Sequence, residues 1–249
     1  MPNTPLLSIV IATYNAGDLL NKTLTSLQHN KEIEFEILIA DGGSSDNTMG
    51  IIQKFSHLIS WSISEPDNGI YDAWNKAIIK ARAPWIAFLG AGDIYISGAL
   101  YKFAEAAMAS PTAHFIHGKL WQVYSNGQHM RQQGKRWKWS EFKHRMTTTH
   151  VGNWHAKSAF DQYGFFNPEY KIVGDYEWLL RIGSNLRAYF VDGHLVEMLV
   201  GGNSDRNWNV LTETAKAKKR TAKQNSIVVA LDFLEAIARK IIGRWVYPR

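Results

Sequence analysis

The chain has 249 residues, 45% of them hydrophobic and 20% charged, enough material for one large folded domain, or one domain and an appendage, and too apolar for a disordered chain. It contains no cysteine, which excludes disulfides and thiolate metal centres, and no uninterrupted apolar run long enough to span a bilayer. The net charge is +6, yet nine Lys/Arg against three acids between Leu211 and Arg249 carry the whole excess and leave the remainder balanced.

The opening MPNTPLLSIVIATYN lacks the basic start and small-residue cleavage site of a signal peptide, so a cytoplasmic location is expected. Short apolar runs then alternate with helix-like segments: LLSIVIATY, a helical repeat through Leu19, Leu20, Leu24 and Leu27, FEILIADGG, SSDNTMGIIQKF, ISWSISEP, NGIYDAWNKAIIKA and WIAFLGAGD. This alternation predicts an α/β fold built on a parallel sheet with right-handed crossovers. The nearly continuous apolar character of the first, second and fourth runs predicts strands covered on both faces. Ser44 or Ser45 is expected to cap the second helix, with Asp46 near its positive end.

After about Ser110 the pattern loosens. FIHGKLWQVYSNGQ predicts strands around an Asn-Gly turn, YEWLLRI a helix and AYFVDGHLVEMLV further strands, so that the second portion extends the same sheet and closes over the site. LTETAKAKKRTAKQ is basic and helix-prone, and Ile227 to Tyr247 is an apolar helical stretch with Asp232, Glu235, Arg239, Lys240 and Arg244 gathered on roughly one side. Five charges argue against a spanning helix. The tail reads equally as a peripheral element on an anionic membrane and as a helical lid on the rest of the chain or on a second subunit.

Ligands of open parallel sheets sit beyond the carboxyl ends of the strands, where Tyr14, Asn15, Asp41 and Asp93 fall. A dinucleotide site would need G-x-G-x-x-G after the first strand, whereas ATYNAGD carries Gly17 alone, and no P-loop is present. Asp41, Asp46, Asp67, Asp72 and Asp93 crowd one edge. Each alone reads as a turn former or helix cap, but together they form a rim that admits phosphate only if Mg²⁺ or Mn²⁺ joins it.

In that order, SIVIATYNAGDLLNKTLTSL, EILIADGGSSDNT, SEPDNGIYDAWNKAI and WIAFLGAGD resemble the successive motifs of family 2 glycosyltransferases of the GT-A fold, especially bacterial enzymes of capsule, O-antigen and exopolysaccharide synthesis. The resemblance runs from about Leu6 to Ser204. It implies a Rossmann-like, mostly parallel sheet flanked by helices, a catalytic domain over 1–205 with a nucleotide-sugar half (1–110) and an acceptor half (111–205), and a basic amphipathic helical tail over 206–249. It further implies an inverting, metal-dependent hexosyl or N-acetylhexosaminyl transferase using Mn²⁺ or Mg²⁺. The donor would be a nucleotide-sugar, typically a UDP-sugar, and the acceptor a glycan or lipid-linked saccharide of cell-surface polysaccharide synthesis.

By the same resemblance Thr13, Tyr14 and Asn15 line the nucleotide pocket, Asp41 accepts a hydrogen bond from the base, Asp72 and Asn75 shape the donor site from one helix face, and Lys76 meets phosphate. In GAGD, Gly92 stands where the first acid of a D-x-D-like pair would be and gives the sugar room, which leaves Asp93 as the metal ligand. KIVGDYEWLLRI resembles the second acidic motif and makes Asp175 the catalytic base, with Glu177 in reserve; helix capping is the competing role for Asp175. THVGNWHAKSAF places His150 at the diphosphate or metal, with His155 competing and a structural role open to either. GGNSDRN, Gly201 to Asn207, resembles the segment that closes the domain over phosphate. Trp154 and Trp178 are expected to touch the acceptor, although Trp is mainly core material. IIGRW carries Ile where a processive synthase's Q-x-x-R-W has Gln, so single-sugar transfer is expected. The incomplete acidic pair leaves a catalytically degenerate nucleotide- or glycan-binding protein as the alternative. Nucleic-acid binding is not expected, because no helix-turn-helix, RNA-binding or zinc signature accompanies the basic tail.

Overall fold

The computed structural model describes residues 4–201 and 207–246, with side chains described as far as Ile242. Strands β1 (Leu7–Thr13), β2 (Phe35–Asp41), β3 (Ile59–Ser64) and β4 (Trp85–Gly90) lie parallel in the order β3-β2-β1-β4, joined in sequence by α1 (Gly17–Gln28), α2 (Thr48–Lys54) and α3 (Ile70–Lys80). Burial follows the apolar pattern. Strands β1, β2 and β4 are buried along almost their whole length, while β3 alternates half-buried Ile59, Trp61 and Ile63 with exposed serines, as an edge strand should.

Beyond β4 the sheet becomes mixed. The three-residue β8 (Trp154–Ala156) inserts antiparallel to both β4 and β6 (Phe115–Val123), β9 (Ala188–Leu199) runs parallel to β6, and β5 (Ile94–Tyr95) completes the order. Strand β7 (His129–Gln133) returns along β6 from the Asn-Gly turn, where Gly127 adopts φ +83. The second portion thus extends the first sheet, as expected. AYFVDGHLVEMLV, however, forms one strand, not several: it bends at Gly193 (φ +135), its register on β6 shifts there, and its far end reaches β5.

Helices α4 (Ala99–Ala109), α5 (Trp139–Phe142), α6 (Lys157–Tyr163) and α7 (Gly174–Ile182) cover the mixed half. Helix α2 is not capped by Ser44 or Ser45, whose groups are drawn to Asp41 and Asn15; Asp46 Oδ1 instead accepts from the Thr48 amide at 3.0 Å. The tail forms α8 (Asn209–Arg220), packed on α7, and α9 (Ser226–Val246), packed on α8. A buried ion pair holds this layer. Lys218 reaches Asp232 at 2.7 Å and donates to the His144 carbonyl, while His144 Nδ1 lies 3.1 Å from Asp232. The opposite side of α9 leaves Ile227, Leu231, Leu234 and Ile242 exposed. No described helix is long and apolar enough to cross a membrane.

Candidate active site

At the carboxyl edge of the sheet the β1–α1 and β2–α2 loops interlock. Asn15, in the left-handed region at φ +47, accepts from the Ser45 amide through Oδ1 at 2.8 Å while its own amide donates to Ser44 Oγ at 2.8 Å. The Ala16 and Gly17 amides donate to Thr48 and Asp46. A Cβ on Gly17 would stand 3.2 Å from the backbone of Asn47 and Thr48, so the clasp requires glycine there. Tyr14 is left standing out at 65% exposure, free to offer its ring to a ligand. Thr13 beneath it is buried, and its hydroxyl has no partner among the described residues.

Asp41 is committed to this framework. Its carboxylate accepts from the Gly43 and Ser44 amides, the Ser44 hydroxyl and Ser64 Oγ (2.6 Å), and it is 2% exposed. It therefore shapes the loop, with its oxygens already engaged at the position where the resemblance implies a bond to the base. Asp67, half-buried, lies close by. Its Oδ1 accepts from the Gly69 amide, while its Oδ2 would lie 2.8 Å from a Cβ on Gly42, beside the Tyr14 ring. Chain position alone marked Asp67 as one of several rim acids; its pairing with Tyr14 follows from the missing side chain at Gly42.

The start of α3 meets the start of α7. The Tyr71 hydroxyl lies 3.0 Å from Asp175 Oδ1 and 2.8 Å from the Ile172 carbonyl, and the Tyr176 amide donates to the same Asp175 oxygen at 2.8 Å. Burial pushes the Asp175 carboxyl above the ordinary carboxylate range, against the lowering effect of those two donors. A Cβ on Gly174 would stand 2.8 Å from the Tyr71 ring, so glycine is what lets the phenol pack against the base of this helix. Asp175 sits in the first turn, after Val173 at the cap position, so it is not the N-cap.

The approach to Asp175 is organised from the tail. Glu213 on α8 accepts from the amides of Lys171, Ile172 (2.9 Å) and Val173 (3.2 Å), fixing the turn that delivers the carboxylate. Sequence reasoning counted Glu213 only as a tail charge and missed Tyr71 altogether. Glu213→Ala frees three amides, and a misplacement of about 1 Å can cost about 10²-fold in rate. A fall in kcat of about tenfold, with the donor KM unchanged, is the expected steady-state result.

Several other side chains are engaged elsewhere than expected. Glu177, the reserve base, is buried and held by Arg181 Nη2 at 2.5 Å and by the Thr221 hydroxyl at 2.9 Å. Asn75 uses both ends of its amide on the Phe166 backbone, at 2.8 and 3.1 Å, so it ties α3 to the segment before α7. Lys76 is paired with Glu65 at 2.8 Å and Asp72 at 3.5 Å, and Asp72 also accepts from the Asn68 amide at 3.0 Å, so neither is aimed at phosphate. Trp154 and Trp178 are both wholly buried. Trp154 stacks on Phe103 and Trp178 on Phe160, with the Trp178 indole donating to the Gly164 carbonyl, so they build core and touch no acceptor.

The residues expected to hold a cation do not fit one. Asp93 is 5% exposed, and its two oxygens accept from the amides of Gly90 (2.8 Å) and Leu199 (2.9 Å), fastening β9 to the end of β4. Burial raises its pKa to about 7, against those two amides and the nearby Lys22. Gly92 (φ +99) gives no room to a sugar, since a Cβ there would meet Leu199 at 2.9 Å. His150 packs against both Trp74 and Phe88, at 4.9 Å from each ring, with neither ring nitrogen partnered, and His155 is buried beside it. Among the described residues no three His, Asp or Glu side chains gather as a metal set. Most of GGNSDRN, residues 202–206, and the side chains of Arg244 and Trp245 in IIGRW lie outside the described residues.

Comparison with known proteins accords with this geometry. The glycosyl transferase family 2 profile matches residues 8–168. A PGL/p-HBAD biosynthesis glycosyltransferase of Mycobacterium tuberculosis is 26% identical over 189 residues, 73% of this chain and 71% of that protein. A putative teichuronic acid biosynthesis glycosyltransferase of Bacillus subtilis is 30% identical over 46% of each chain. Among solved structures, S. aureus TarS in complex with UDP-GlcNAc superposes with a TM-score of 0.70 at 15% identity, covering 98% of this chain and 76% of that one. A mannosyltransferase of Pyrobaculum calidifontis in complex with GDP-Man and Mn²⁺ gives 0.66 at 12% identity, covering 100% and 77%. These two share the fold.

The chain belongs to glycosyl transferase family 2 and is a glycosyltransferase that uses a nucleotide-sugar.

Proposed function

We propose that this family 2 glycosyltransferase moves one sugar from a nucleotide-sugar, a UDP-sugar in the first instance, to a hydroxyl of a glycan or lipid-linked acceptor with inversion, Asp175 acting as the base. The nucleotide would lie against the outside of the two interlocked loops, its base on the exposed Tyr14 ring with Asp67 Oδ2 as hydrogen-bond acceptor. Residues 1–110 then serve the donor and 111–205 the acceptor. In the transfer the acceptor O–H gives its proton to Asp175 as its oxygen bonds to the anomeric carbon; the bond to the diphosphate oxygen breaks on the opposite face and the nucleoside diphosphate departs.

The observation that carries this reading is the Asp175 carboxylate itself. Tyr71 and Tyr176 bind one of its oxygens, Oδ1, so the other is available for a proton, and burial makes it more basic than a surface carboxylate. A divalent cation on the diphosphate would supply charge neutralisation for the leaving group, but the inward-turned Asp93 and the enclosed His150 do not form its site, and no step is assigned to it.

A panel of nucleotide-sugars scored for nucleoside diphosphate release, with and without Mn²⁺ or Mg²⁺, tests the reading; no release from any donor would overturn it. With the active donor, Tyr14→Ala is expected to raise the donor KM about tenfold, since stacking a base on an aromatic ring contributes about 1–3 kcal/mol, and to leave kcat nearly unchanged.

A further inference from the structure

Apart from the donor edge, the molecule has an open cavity of about 660 Å³ lined by β6, β7, β9, the loop between β7 and β8, and the tail helix α9. Five cationic side chains, Lys119, Lys135, Arg136, Arg145 and Arg239, face it with a single carboxylate, Asp192. That carboxylate is already paired with Lys119 at 2.7 Å, and Arg136 lies over the Phe190 ring. Arg239 stands 3.6 Å from Glu235, while Lys135 and Arg145 have no ion-pair partner among the described residues. Cations held this close repel one another, and surface cations are ordinarily spaced or interleaved with acids. Concentrating them in one hollow costs stability unless an anion fills it.

A second observation concerns hydroxyls, not charge. Thr147 and Thr148 form part of the cavity wall and are buried, yet neither Oγ1 has a hydrogen-bond partner among the described residues. Both oxygens are shielded from the cavity space as the side chains stand, and rotation about χ1 would turn each hydroxyl toward an oxyanion held by the cations. The wall is also coupled to the catalytic helix. The Tyr176 hydroxyl, one residue beyond Asp175, hydrogen-bonds the Phe142 and Lys143 carbonyls (3.0 and 3.1 Å), and the Lys135 amide donates to the Thr147 carbonyl at 2.9 Å. The loop bearing Lys135, Arg136 and Arg145 is therefore closed on itself at its ends and tied at its middle to α7.

From these features we propose that the cavity binds a phosphate or diphosphate group carried by the acceptor, so that this enzyme selects anionic acceptors and anchors them through their phosphate on the loop that Tyr176 ties to the Asp175 helix. The inference rests on the glycosyl transfer proposed above and deepens its acceptor side. Arg239 makes the tail helix a contributor to acceptor selection, which gives the basic tail a function within the site.

The test uses the full chain and inorganic pyrophosphate as probe, titrated by calorimetry in the wild type, in Lys135→Glu with Arg145→Glu, in the milder Lys135→Ala with Arg145→Ala, and in Tyr14→Ala. Both double variants change exposed side chains, and unchanged near-ultraviolet circular dichroism verifies their fold. The expected result is a site weakened at least tenfold by charge reversal, several-fold by the alanines, and not at all by Tyr14→Ala; removing a cation that binds phosphate also lowers the salt dependence. Affinity unaltered by charge reversal, or displacement of all the bound pyrophosphate by UDP, which marks the donor edge as its site, would overturn the proposal. Displacement of bound pyrophosphate by phosphatidic acid vesicles and not by glucose 6-phosphate indicates a lipid-borne acceptor, the reverse a soluble one; displacement by neither, or tighter binding of a single-stranded oligonucleotide through the same residues, also overturns it. Donor hydrolysis by water, measured in the wild type in parallel, reports on the transfer reading alone: its absence would overturn that reading and leave the pyrophosphate result standing.

Discussion

Asp175→Asn is expected to lower kcat by about 10³-fold while leaving the donor KM within about twofold of wild type, because general-base catalysis contributes about 10²–10⁴ in rate. The substitution isolates the chemistry from the architecture. Tyr71 O–H and Tyr176 N–H both bond to Oδ1, and an asparagine carbonyl at that position accepts them equally well, so the loop, α7 and the Tyr71 hydrogen bond stay in place. What disappears is the oxygen able to take a proton. An amide cannot serve, and the acceptor hydroxyl would have to attack with its proton still attached. The nucleotide loops are held by Asn15 and Asp41 through bonds within those loops, not through this carboxylate, so donor binding should persist. Nucleoside diphosphate release at saturating donor and acceptor measures kcat, and the donor titration gives KM. A kcat within about threefold of wild type would mean that Asp175 only fastens Tyr71, and the base would have to be sought elsewhere.

Which parts of this site a reader of the chain can see depends on how local their causes are. Strands β1, β2 and β4 are legible because a parallel strand covered on both faces must be apolar at nearly every position. β8 is not, since three residues carry no period, and it exists only because β4 and β6 offer it hydrogen-bonding edges on both sides. The same division applies to the acids. That Asp41, Asp67, Asp93 and Asp175 end strands or open helices follows from turn and cap chemistry. Whether a carboxylate faces solvent or turns inward depends on which backbone amides lie behind it, and for Asp93 one of these is Leu199, at the end of a strand bent by Gly193. Tyr71 and Glu213 were invisible for the same reason: their partners lie 104 and about 40 residues away.

The second large effect concerns stability. Unfolding free energy is expected to fall as pH drops below about 6.5, with a slope of about 1.4–3 kcal/mol per pH unit between about pH 6 and 4.5. Three histidines produce it. Burial pushes His117 and His155 down to about 3 and His150 well below its ordinary value, with neighbouring charge on His155 adding to the effect at His117 and His150. All three are enclosed by aromatic rings, His150 by Trp74 and Phe88, His155 by Phe88 and Phe115, His117 by Phe115 and Phe190. The folded protein therefore keeps them neutral while the unfolded chain protonates them near 6.5, so their stabilisation is complete above that pH and is lost as pH falls toward 3. Asp93 works in the opposite sense. Its folded value of about 7 exceeds the unfolded one, so it holds a proton that unfolding releases over the same window, and the raised Asp175 adds part of another. Three protons taken up against one to two released leave a net uptake of about one to two, hence the slope. Denaturant titrations at half-unit pH steps measure it directly, and His155→Phe, which keeps the ring packing among Phe88, Phe115 and Phe160, should flatten it by about 1.4 kcal/mol per unit. A stability independent of pH across this range would mean that the aromatic cluster admits water or an ion to these imidazoles, and His150 would again be a candidate to touch the donor.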